Sequence, residues 1–261
     1  MTGQTIVLAG GVPWPPTVND FFPPAIAPWG SDGYHNPWFT KITLMLWLSV
    51  AIIILYFLLS YRKPTLVPSR KQWIAESIYG FVRNNISVEM LGTSDGLRFA
   101  PYLATVFIFI FVMNLWGIIP FFQVSPNAHI AFPAVLALLT YVIFIYQGIR
   151  KHGGGYLKHA LILPAPWFIQ PILIPIEIFS TFIVRPFSLA VRLFANMFAG
   201  HAVMLLLISM IFIFRNYIIL PVPVLGNTAF LAFELFIAAI QAFVFTYLTA
   251  FYIATALEEE H

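Results

Sequence analysis

Three stretches of this chain run for the thickness of a bilayer without a single charge: Ile42 to Ser60, Phe99 to Phe122 and Ile130 to Ile149. A helix needs about 20 largely apolar residues to cross a hydrocarbon core of roughly 30 Å. In lipid, a spanning segment must satisfy its own backbone hydrogen bonds, so each stretch reads as a helix. Pro133 falls in the first turn of the third, where proline is tolerated. Charged residues make up 9% of the sequence, against roughly 25% in a soluble domain, which leaves too little polar surface to face water. With no cysteine, disulfides, thiolate metal sites and cysteine nucleophiles are excluded. His35, His129, His152, His159, His201 and His261 are scattered without the close helical spacing of a zinc site, so neither a metal nor another cofactor is expected.

Residues 1–41 are rich in proline, tryptophan and glycine and read as an irregular tail outside the membrane. They lack a basic stretch followed by an apolar one, so the first span, residues 42–60, is expected to act as an uncleaved insertion signal. Residues 61–98 form a basic loop. Within it, Ser69 to Ser94 mixes Arg70, Lys71, Glu76, Arg83 and Glu89 with Trp73, Ile74, Ile78, Tyr79 and Phe81, the pattern of an amphipathic helix lying on the membrane surface. The second and third spans occupy residues 99–149, and a second basic loop covers 150–170. Arg62, Lys63, Arg70, Lys71, Arg83 and Arg98 in one loop, and Arg150, Lys151 and Lys158 in the other, fall on the same side of alternating spans. That side is expected to be cytoplasmic. The N-terminus is then outside, and Glu258-Glu259-Glu260 inside.

Residues 171–261 are expected to form a hairpin of two over-long helices. Pro171 to Phe214 is almost wholly apolar and would be about 65 Å long as one helix. The expected solution is a single tilted rod, kinked at Pro186. A turn is expected over Asn216–Gly226, with Pro221 and Pro223, before a last helix from Asn227 to Leu257. The fold class is therefore an all-α integral membrane protein. It has about five transmembrane helices plus one interfacial amphipathic helix, the last two spans long and strongly tilted.

An ionisable residue at mid-membrane costs about 3 kcal/mol on insertion scales, and marks function by default. The hairpin holds Glu177, Arg185, Arg192, His201 and Glu234. Arg185 is near enough to a surface to snorkel; Arg192 lies about 10 Å deeper along the helix. Ser188, Arg192, Asn196 and Gly200 recur every four residues and share one helical face. A guanidinium stays charged in any protein environment, and nothing within its own turns offers Arg192 a carboxylate. Its partner must come from another helix, most simply on another subunit. Glu234 and Gln241 align two turns apart, and Tyr252 lies close to the same face. Glu234 and His201 meet near the outer end, where a carboxylate and an imidazole could pass protons, while Glu177 lies toward the cytoplasmic end. Simpler roles remain open. Arg192 could pair with Glu234, His201 could bond a backbone carbonyl, and Gln241 and Asn196 could be interhelical glue.

The run Arg185-Pro186-Phe187-Ser188-Leu189-Ala190-Val191-Arg192-Leu193-Phe194-Ala195-Asn196-Met197-Phe198-Ala199-Gly200-His201 closely resembles the signature of subunit a of F-type ATP synthases. Glu234 to Phe245 resembles that family's last helix, and Met113-Asn114-Leu115-Trp116-Gly117-Ile118-Ile119-Pro120 the end of its second span. The resemblance runs from about Trp73 to the end of the chain. It implies a stator with two offset proton half-channels, which itself catalyses no bond change. Arg192 would be the essential arginine facing the ring of subunit c, flanked by Asn196 and Gln241, and Ser188, on the same helical face as Arg192, is expected along the proton path. His201 and Glu234 would line the outer half-channel, Glu177 the cytoplasmic one, with Tyr252 along the path. The implied partners are the c-ring, the peripheral stalk subunit b, the remaining ATP synthase subunits and the lipid bilayer. The implied location is a bacterial plasma membrane, or alternatively a mitochondrial inner membrane. A secondary proton-coupled transporter is the competing reading, but its usual internal repeat is missing from the sequence.

Overall fold

The computed structural model of the protein describes residues 6–7, 13–14, 41–62, 65, 67–119, 125–153, 169–213 and 221–257. The described residues are helical apart from short connections and one small pairing in the tail, where β1 (Ile6–Val7) lies antiparallel to β2 (Pro13–Trp14) with Ile6 opposite Trp14. Among the described residues, five helical segments are long and apolar enough to cross a membrane.

The first span is α1 (Lys41–Ser60). It exposes Leu44, Trp47, Ile54, Leu55 and Leu58, as a helix bathed in lipid does. It is tied to the body through the buried Ser49, which accepts a 2.6 Å hydrogen bond from Trp116 Nε1 and donates to the Met45 carbonyl. The amphipathic segment forms α2 (Arg70–Val82), whose first turn is capped by Ser69 Oγ accepting from the Gln72 N–H. It buries Gln72, Ala75 and Val82 and leaves Arg70, Lys71 and Glu76 exposed. A π-helical turn, Arg83–Val88, leads into α3 (Glu89–Ile118). Near its start the chain reverses at Gly92, where φ is 76°, a left-handed conformation open to glycine at no steric cost. The reversal lays the body of α3 back across the π turn. There Ser87 Oγ donates to the Gly96 carbonyl at 2.6 Å, and a side chain at Gly96 would come within 2.8 Å of the Ser87 carbonyl oxygen. The helix that contains Phe99 is therefore broken at Gly92 and begins several residues before Phe99. Its expected end near Phe122 lies outside the described residues.

A 3-10 turn, Pro126–Ala128, precedes α4 (Ala131–His152), which ends at Gly153 with φ 62°. The fourth apolar segment is a near-continuous rod. It consists of α5 (Gln170–Phe179), a π-helical turn (Ser180–Val184) and α6 (Arg185–Ile213). The irregularity expected at Pro186 is present, one turn earlier. Pro186 has no N–H for the Phe182 carbonyl and its ring crowds that position, so the ladder widens and the Arg185 N–H bonds back to the Ser180 carbonyl. The last helix, α7 (Pro221–Leu257), starts six residues before the expected Asn227. Pro221 and Pro223 open the helix instead of belonging to a turn, because N–H groups in a first turn have no intrahelical partner to lose. Apolar lengths of 41 and 37 residues in the last two segments correspond to about 60 Å and 55 Å. Both exceed a roughly 30 Å core, as the expectation of tilt requires.

The core lies where α7 packs between α3, α4 and α6. One cluster holds Val82, Phe99, Leu103, Phe144, Ala250 and Ile253; the other holds Val106, Ile110, Ala137, Leu189, Leu193, Ala242 and Phe245. Buried alanines (Ala104, Ala137, Ala190, Ala238, Ala242, Ala250 and Ala256) let the helices approach closely, the usual means of association where lipid is as apolar as the protein. At one end Lys151 Nζ donates to the Leu257 carbonyl at 2.7 Å. That bond places a cation on the negative end of the α7 dipole and fixes the ends of α4 and α7 on the same side.

Candidate functional site

The ionisable groups of the hairpin separate into three places. The first lies at the junction of α5 and α6. Glu177 Oε1 accepts from Thr181 Oγ1 at 3.2 Å and from Arg185 Nη2 at 3.3 Å. The Arg185 guanidinium also stands 5.6 Å from the centre of the Tyr252 ring, within cation–π range. The π turn between the two residues makes the Glu177–Arg185 approach possible across eight positions. Sequence reasoning left Arg185 to snorkel on its own; the structure gives it a carboxylate and an aromatic face. Tyr252 belongs to this cluster and packs against Phe144.

The second place is the middle of α6. Arg192 is exposed and has no hydrogen bond or ion pair among the described residues. Its surroundings on that face are Ala195 and Ala199, both exposed, with Ser188 and Asn196 half-buried. On the opposite side of the helix, Ala190, Met197 and His201 are buried. Arg192 thus points away from the hairpin core, and the pairing with Glu234 does not form.

The third place is the buried contact between the far half of α6 and the first half of α7. Glu234 is 3% exposed, and neither carboxylate oxygen has a hydrogen-bond partner among the described residues. It packs against Gly200, where a Cβ would lie 2.8 Å from Glu234 Oε1. One residue on, His201 is held on both ring nitrogens. Nδ1 lies 2.8 Å from the Met197 carbonyl oxygen, and Nε2 accepts the Ser125 backbone N–H at 3.1 Å. Its ring rests on α3 at Gly117, where a Cβ would meet Cε1 at 2.8 Å. Ser125 is fixed in turn: its Oγ donates to the Met113 carbonyl at 3.0 Å and accepts from the Asn127 N–H. Asn127 Nδ2 donates to Asn114 Oδ1 at 2.7 Å. These polar residues are buried, and buried polar groups hold a fold in register when satisfied. Outside the spans His129 follows the turn; its pKa is lowered by burial and by the nearby His201.

Gln241, two turns along α7 from Glu234, is also buried, with its Nε2 unpartnered among the described residues. That Glu234 and Gln241 share a face is as the spacing implied. Sequence reasoning missed Ser125, Asn127 and Gly117 as companions of His201. The available signals were the Met113–Pro120 motif and Ser125-Pro126-Asn127, a serine that caps a short turn.

A family model for the ATP synthase A chain matches residues 43–254. The chain is 41% identical to ATP synthase subunit a of Pseudarthrobacter chlorophenolicus over 258 residues, covering 94% of each. It is 40% identical to that of Rhodococcus erythropolis over 263 residues, covering 94% of this chain and 91% of the relative. With subunit a of Streptomyces lividans it shares 38% over 244 residues, covering 89% and 84%. The matched residues include all three places where the charges gather, and the chain belongs to the ATP synthase A chain family.

Proposed function

We propose that the chain is the proton-guiding stator of a rotary ATP synthase in a bacterial plasma membrane, working against a ring of c subunits and held by the peripheral stalk subunit b. The observation that carries the reading is Arg192: a permanent cation on an apolar helix, exposed, with no ion pair among the described residues. A charge in that setting needs a carboxylate from outside the chain, and a ring subunit bearing one supplies it. Protons enter past Glu234 and His201 and neutralise a ring carboxylate, which can then turn into lipid. Arg192 attracts the next carboxylate in its charged form and favours release of its proton. That proton leaves on the Glu177 side, past Tyr252. Ser188, Asn196 and Gln241 flank the transfer point. The fixed charge between the two half-channels blocks a continuous proton wire. The excess of basic residues in 61–98 and 150–158 supports a cytoplasmic C-terminal end of α7 and an N-terminus outside.

The test is ATP-driven acidification of inverted vesicles carrying Arg192→Ala, with ATP hydrolysis followed in parallel. The expected result is an assembled complex whose acidification falls at least about 100-fold, the scale on which one preorganised charge acts. Acidification at the normal rate would make the arginine structural and overturn the reading. A secondary transporter has no observation in its favour.

A further inference from the structure

We propose that His201 is a positioning residue: a neutral latch that holds the Ser125–Ala128 turn over the outer path and leaves Glu234 as the proton-carrying member of the pair. The inference rests on the proton-path reading above and assigns roles within it. A backbone N–H can only donate, so Nε2, 3.1 Å from the Ser125 nitrogen, presents its lone pair there. The proton of the neutral ring is then on Nδ1, 2.8 Å from the Met197 carbonyl oxygen. Both nitrogens are committed, one as acceptor and one as donor. A proton arriving at Nε2 would set an N–H against the Ser125 N–H, so taking it up means breaking the latch and freeing the turn.

The surroundings support the same assignment. The turn is braced by Ser125 Oγ on the Met113 carbonyl and by the Asn127–Asn114 bond, so it does not yield easily to a flipped ring. Gly117 fits the ring so closely that a Cβ there would overlap Cε1. Among the described residues, the titratable groups near His201 are Glu234 on α7, packed against the adjacent Gly200, and His129 beyond the turn; α3 presents Gly117. Glu234 has the complementary properties. Its two oxygens are buried with no hydrogen bond among the described residues, so it can receive and pass a proton without dismantling structure. The proton moves onto a Glu234 oxygen from the outside and off it toward the ring, and His201 returns unchanged.

The experiment uses the intact complex with ¹⁵N-labelled histidine, the His201 signals being identified by their loss in His201→Gln. The expected spectrum keeps Nδ1 protonated and Nε2 bare from about pH 5 to about pH 8, the interval in which an ordinary histidine titrates. A His201 that titrates there, or carries its proton on Nε2, overturns the latch. In pumping vesicles, His201→Gln is expected to slow acidification a few-fold with its pH dependence unmoved, while Glu234→Gln lowers it by about 100-fold or more, the scale of a lost acid–base group. A shifted pH profile in His201→Gln contradicts the proposal. Normal pumping by Arg192→Ala would overturn the path reading whatever the His201 tautomer, so the two failures are distinguishable.

Discussion

Arg185 and Arg192 stand two turns apart on one helix and have opposite surroundings. Arg185 is satisfied within the chain, by Glu177 and the face of Tyr252. Arg192 is exposed and has no ion pair among the described residues. Seven positions apart, they lie on nearly the same helix face, so the difference comes from the backbone just before Arg185 and from what packs there. The π turn at Ser180–Val184 lies between Glu177 and Arg185, while Arg192, opposite the buried Ala190 and Met197, has no such carboxylate beside it among the described residues. A charge that the chain satisfies by itself needs no partner from outside. One that it leaves unmet implies a second molecule.

The comparison can be broken most sharply by exchanging roles. Arg192→Ala is expected to abolish ATP-driven acidification while Arg185→Ala keeps most of it; equal losses in the vesicle assay would erase the distinction. Next in size, Gly200→Val should crowd Glu234, because even a Cβ at 200 would lie 2.8 Å from Oε1. Overpacking of this kind costs about 1–3 kcal/mol, and pumping should fall roughly tenfold with the complex still assembled. Asn114→Ala removes the acceptor for Asn127 Nδ2. The loss should be about 1–3 kcal/mol of stability, the cost of an orphaned buried donor, read as a lower unfolding temperature. The smallest effect is expected from Glu177→Gln. Its ion pair is partly open to solvent at 28% and 22% exposure, and such pairs contribute about 1 kcal/mol or less. Acidification should drop no more than a few-fold, and a loss as deep as that of Arg192→Ala would move the critical charge to the other end of the hairpin.

The spans were legible because apolar length is a one-dimensional signal: α1, α4 and the long α5–α6 rod lie where uninterrupted hydrophobic runs put them. The start of α7 was not, since Pro221 and Pro223 read equally as turn residues or as the opening of a helix. That Glu234 and Gln241 share a face followed from their spacing; that the face is buried did not. The partners of the charges did not. Whether Arg192 met Glu234, and whether Arg185 met anything, depended on how the π turn and the helix crossing rotate α6, which no residue count along the chain gives. The bonds that hold His201 are carried by residues 76 positions away at Ser125, and only the packed structure brings them together.

The central claim is that the Arg192 face of α6 meets a partner. Disulfide cross-linking tests it directly, because the native sequence contains no cysteine. Cysteines would be placed singly at the exposed Ala195 and Ala199 and at the buried Leu193 and Met197, each combined with one cysteine on the outer helix of the ring subunit. Cross-links are expected at Ala195 and Ala199 but not at Leu193 or Met197. Cross-links at the buried pair, or none at Ala195 and Ala199, would contradict that claim.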